Sequence, residues 1–208
     1  VCPWQRDGSS STRTSPPGVQ AQRSGFVIHR SDDGAAVDTD DLSVDVSRSL
    51  GAQKRTHGGH VITGTAWNSG AAATYYARPF DLDGAPSSFS ATERTRIVDI
   101  WHRVAEDLAP FDIDVTTEEL TSFDRYTGRV LVTNSKDQNN VDMPYPTAGG
   151  VAYVNVFGGS TYHTYYSPAL VYYNNLGGGE ATYVAEASSH EFGHNLGLAH
   201  DGTTSGTT

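Results

Sequence analysis

Residues 190 to 201 read His-Glu-Phe-Gly-His-Asn-Leu-Gly-Leu-Ala-His-Asp. On a helix, His190 and His194 lie one turn apart on a shared face, with about 6 Å between their Cβ atoms, so two imidazoles can converge on one metal ion. Neutral imidazole nitrogens bind zinc at about 2.0–2.1 Å, and a catalytic zinc takes three protein ligands while keeping one position for water. The third ligand expected here is His200. Along a continuing helix its side chain would be displaced from His194 by about 9 Å and rotated off the shared face, so the chain must turn sharply between them. Gly197 permits that turn, because glycine reaches the left-handed conformation without a Cβ penalty. Glu191 points to the adjacent edge of the same face, where it can touch a water on the zinc without binding the metal. It is the candidate general base, and the chemistry is hydrolysis of an amide.

At this chain's own composition a chance His-Glu-x-x-His arises in roughly one chain in a hundred. Adding Gly197 and His200 at their fixed positions brings that to roughly four in a hundred thousand, which sets coincidence aside.

These side chains need a scaffold, and the sequence outlines one. The last helix is expected from about Glu180 to Leu196, with Glu180 at its positive end and Gly197 just past its C-terminus. Ser90 with Glu93 three residues on is a capping-box signature, and Ile97, Trp101, Val104 and Leu108 recur at helical spacing, which predicts a helix over 91–108 ended by Pro110. Strands are expected at 61–67, 111–116, 129–133, 149–156 and 169–173. Helix, strands and helix make an α/β domain. Residues 1–56, rich in Ser, Arg, Asp and Gly with Pro16-Pro17, show only two short alternating stretches, 25–28 and 42–46. They are read as a poorly ordered leader or pro-segment remnant, and 57–208 as the catalytic domain.

The string from His190 to Asp201 is similar to the extended zinc signature of the metzincin metallopeptidases, and Asp201 directly after the third histidine resembles the reprolysin (adamalysin) branch. The wider stretch, Ile62 to Asn68, Trp101 to Thr117 and Gly149 to Val156, resembles bacterial secreted zinc peptidases of reprolysin-like type, and the likeness covers about residues 60 to 208. It implies a metzincin-like twisted mixed sheet, mainly parallel, with two long helices, the second carrying His190, Glu191 and His194. It also implies an antiparallel edge strand above the cleft that pairs with an extended protein or peptide substrate, for which 149–156 is the candidate. Two departures stand out. Metzincins carry a methionine-containing turn downstream of the third histidine, whereas the one methionine here is Met143 and the sequence stops at Thr208; the C-terminal subdomain is therefore expected to be truncated. An apolar first strand precedes the Gly-Thr-Ala-Trp region in that family, whereas Gln53 to Gly59 is polar.

Composition narrows the partners. The 208 residues carry 24 acidic and 14 basic side chains, a net charge of −10. Nucleic acid is excluded as an expected partner, since phosphate-backbone binding needs clustered Lys and Arg and the lysines are Lys54 and Lys136 alone. No run approaches the roughly 18 apolar residues of a membrane span. A lone Cys2 forms no internal disulfide and leaves the redox compartment open. Secretion is expected from the resemblance, with a signal lying upstream of Val1.

Other candidates have blander readings. His57, His60 and His102 are read as surface residues. Asp81 and Asp83 resemble a fragment of a calcium loop, but the bidentate Glu and the remaining spacing are missing, so an ordinary turn is expected and no calcium is assigned. Asp201 is read as an anchor for the loop presenting His200, and the tyrosines at 162–166 and 172–173 as packing residues. The rival function is a non-catalytic zinc-holding binding or adhesion module. A zinc hydrolase using a glutamate from a later helix is disfavoured by Gly197 and His200.

Overall fold

The computed structural model describes residues 1–4, 25–30, 60–69, 72–111, 113–117 and 123–200. Among the described residues, eight strands and two long helices follow one another: β1 Cys2–Trp4, β2 Gly25–Arg30, β3 Val61–Thr63, β4 Thr74–Tyr76, α1 Ala91–Leu108, β5 Ile113–Thr116, β6 Thr127–Thr133, β7 Gly150–Ala152, β8 Ala169–Tyr172 and α2 Ala181–Asn195. Six strands form one sheet in the order β1-β7-β8-β6-β2-β5, and β3 pairs with β4 in a separate ladder. The fold is mixed α/β, as expected.

Alternation along the inner strands sends successive side chains to opposite faces. Val130 and Val132 of β6 and Ala169 and Val171 of β8 pack with Ile97, Ile100, Val104 and Leu108 of α1 and Val184 and Ala185 of α2. Leu170 and Tyr172 point the other way, into a second cluster with Ile62, Trp67, Tyr75 and Met143. Both helices therefore lie on one face of the sheet.

The expected 91–108 helix is realised with its capping box. The Ser90 N–H donates to Glu93 Oε2 at 2.7 Å, and the Glu93 N–H to Ser90 Oγ at 3.3 Å. The other Glu93 oxygen accepts the Leu82 N–H at 2.8 Å, so this buried carboxylate fastens the preceding loop as well as the helix start.

Two expectations, strand direction and strand length, are corrected. The sheet is not mainly parallel: β6 and β8 run parallel, whereas β1·β7, β7·β8, β2·β6 and β2·β5 are antiparallel. Two of these pairs belong to β2, which enters between β6 and β5 opposed to both. It belongs to the segment read as a leader, and its Phe26-Val27-Ile28 core is the apolar run that an inner strand needs. The 1–56 segment thus gives the sheet two strands; its other residues lie outside the described ones, as does the polar stretch 53–59. Two expected strands are also much shorter. The 61–67 run stops at Gly64 (φ 68°) and closes into a short 3-10 turn, Ala66–Asn68. The expected 149–156 strand ends at Ala152, because Asn155 takes a left-handed φ of 57°.

Candidate metal centre

The helix α2 carries His190, Glu191 and His194, and its C-terminal turn delivers His200. The Gly197 N–H donates to the His194 carbonyl and the Leu198 N–H to the Gly193 carbonyl, each at 2.9 Å. With Gly197 at φ 102°, this is the Schellman arrangement that ends a helix on a left-handed glycine. Gly193 leaves room for the Leu198 side chain, whose Cδ1 would stand 3.3 Å from a Cβ at that position.

A second device holds the helix end from the sheet side. After β7 the chain turns at Asn155, and the N–H groups of Asn155, Val156 and Phe157 donate to the His194 and Asn195 carbonyls at 2.8 to 3.1 Å. The His194 carbonyl thus accepts from the loop as well as from the Gly197 turn, and the Asn195 carbonyl accepts from the loop. Asn195, also buried, donates from Nδ2 to the Tyr153 carbonyl at 2.9 Å and accepts from the Tyr162 hydroxyl at 2.9 Å. Sequence reasoning missed this clamp. Its one local signal was Asn155, a residue type that tolerates positive φ.

The three predicted ligands come together. His190 Nε2 lies 2.8 Å from His200 Nε2, and His194 Nε2 lies 3.2 Å from the same atom. Nitrogens bound to one tetrahedral zinc at about 2.05 Å stand about 3.3 Å apart, so the cluster has the size of a zinc ligand set. His194 Nδ1 is 2.6 Å from the Leu198 carbonyl, which leaves Nε2 unprotonated in the neutral ring. Burial, then the neighbouring His194 and His200, pushes the His190 pKa down to about 4. Burial likewise lowers that of His194. Neutral imidazoles are the form a metal takes, so these residues fit zinc.

Glu191 is fully buried, and neither carboxylate oxygen has a hydrogen-bond partner. Burial raises its pKa to about 9. A buried carboxyl with both oxygens unmet is costly unless something outside the protein's own groups meets them.

Of the other candidates, Asp81, Asp83 and Glu93 also gather. Asp81 Oδ1, however, accepts the Gly84 and Ala85 N–H groups in the expected turn. His163 stacks on Phe123 with ring centroids 5.1 Å apart, away from the imidazole cluster's contacts. Tyr162, Tyr172 and Tyr173 are buried packing residues, while Tyr165 is exposed. Asp201 and His57 lie outside the described residues.

Fold and site together define a mixed α/β protein in which three histidines, two on α2 and one just past it, form a group that could hold a metal ion. Residues 109–201 match the family model described as Metallo-peptidase family M12B Reprolysin-like. Over this segment, which runs from the end of α1 through all three histidines, the chain is reprolysin-like, as its zinc signature indicated. Comparison with curated proteins and with solved structures gives no match. Among the described residues, no helix is long and apolar enough to cross a membrane.

Proposed function

We propose that this protein is a secreted zinc endopeptidase of metzincin type, with His190, His194 and His200 as ligands and Glu191 as general base. The observation that carries the reading is the convergence of three imidazole nitrogens beside a buried carboxylate with no partner of its own. Zinc held there supplies Lewis acidity and lowers the pKa of a bound water towards 7. Glu191 accepts the proton of the attacking water and returns it to the departing amine. The strand β7 orients the substrate: it receives an extended segment on its outer edge, where β1 now sits antiparallel, with Cys2 opposite Ala152 and Trp4 opposite Gly150. A peptide pairing in the same way presents its carbonyls in a fixed register. Secretion rests on the reprolysin-like resemblance and on the lysine-poor composition, and is tested by locating the protein in fractionated cells and medium.

The enzymatic reading is tested with purified protein and a quenched peptide. Cleavage blocked by a chelator and restored by one equivalent of zinc supports it. Zinc binding with no cleavage would make the protein a zinc-holding binding module instead. Glu191→Gln is expected to keep the zinc and lose about 10²–10⁴-fold in rate.

A further inference from the structure

Two consecutive residues of α2 meet the sheet where its strands carry no side chain. Phe192 lies over Gly128 of β6, where an added Cβ would stand 2.3 Å from the ring. Glu191 lies over Gly150 of β7, where an added Cβ would stand 2.7 Å from its Cγ and 2.9 Å from its Oε1. Gly150 is not among the glycines with positive φ, so its backbone suits any L-residue and space alone demands glycine. The Leu170 carbonyl oxygen, 3.0 Å from the same point, closes another side. Glu191 is fully buried and cannot swing into solvent to make room.

We propose that Gly150 is a positioning residue for Glu191: the gap it leaves in β7 seats the Glu191 side chain and fixes where its carboxylate stands relative to the imidazole cluster. This rests on the reading of Glu191 as general base. Any side chain at position 150 drives Glu191 to another rotamer, and a displacement of about 1 Å at a reacting group costs about 10²-fold in rate. The ligands are held separately, by the Gly197 turn and by the Asn155 loop, so the metal site does not follow the carboxylate.

The test is a double-mutant cycle on the zinc-loaded full chain with Gly150→Ala, Glu191→Ala and the pair, reading kcat, KM, zinc content and Tm. Glu191→Ala removes the Cγ and Oε1 that the new methyl would strike. In the native background Gly150→Ala is expected to lower kcat about 10²-fold with KM within about three-fold and zinc content unchanged. In the Glu191→Ala background the same substitution is expected to leave residual kcat within about two-fold and to cost less Tm than in the native background. A native kcat in Gly150→Ala, or equal losses in both backgrounds, overturns the proposal. An inactive wild type strikes the functional reading instead, and the Tm cycle then decides the seat: coupled shifts support it and additive shifts overturn it.

Discussion

His194 Nδ1 stands 2.6 Å from the carbonyl oxygen of Leu198, four residues further along the chain. A carbonyl only accepts, so this contact puts the His194 proton on Nδ1 and turns a bare Nε2 towards His200. The Leu198 carbonyl is there because the helix ends on Gly197. One turn therefore sets the tautomer of the second proposed ligand and the approach of the third, the work that an outer hydrogen-bond partner does in a metal site.

Gly197→Ala should break both. A Cβ at φ 102° is strained and would meet Asn155 Oδ1 at 3.1 Å, at a cost of about 1–2 kcal/mol in folding stability. Zinc affinity is expected to fall about 10–100-fold, read by competition with a chromophoric chelator; an unaltered affinity would show that the turn does not organise the ligands.

The metal-free protein should lose stability as pH rises from about 6.5 to 9. The Glu191 pKa goes from 4.5 to about 9 on folding, so the native state binds more protons than the unfolded chain across that window, and stability present at low pH is lost on the way up. His190, lowered from 6.5 to about 4, acts with the opposite sign between those values, favouring the folded state as pH rises. Above 6.5 the Glu191 slope therefore stands without it. Thermal melts in chelator should show the fall in the native chain and a smaller one in Glu191→Gln; equal slopes would contradict the assignment.

Asn195→Ala should cost about 1–3 kcal/mol by chemical denaturation, since it removes the hydrogen bonds that Asn195 makes with the Tyr162 hydroxyl and the Tyr153 carbonyl. An unmoved midpoint would mean that the clamp carries no weight.

The helix of His190 and His194 was legible in the sequence because its signal is local: two histidines four apart, a glutamate between them and a glycine at the turn. The 91–108 helix was legible for the same reason, through Ser90, Glu93 and the apolar stripe behind them. What depends on distant partners was not. The 149–156 run has the β-prone composition of a longer strand, yet the chain leaves the edge after Ala152 because the carbonyls of His194 and Asn195 draw the N–H groups of 155–157. The run 25–28 is a short alternating stretch by itself, and it becomes an inner strand because β5 and β6 leave a place for it.

The edge of β7 should be a site of competition. If a peptide substrate pairs where β1 now lies, removing residues 1–4 should lower KM for an extended peptide while leaving kcat near its original value. A raised KM in the shortened chain would show that β1 supports the cleft and does not occupy it.

The most direct measurement is an anomalous-difference map of zinc-loaded crystals of the full chain, collected at the zinc edge. The expected result is a single peak within about 2.0–2.1 Å of the Nε2 atoms of His190, His194 and His200. No peak among those three rings, or a peak from which the His200 ring has turned away, would contradict the account.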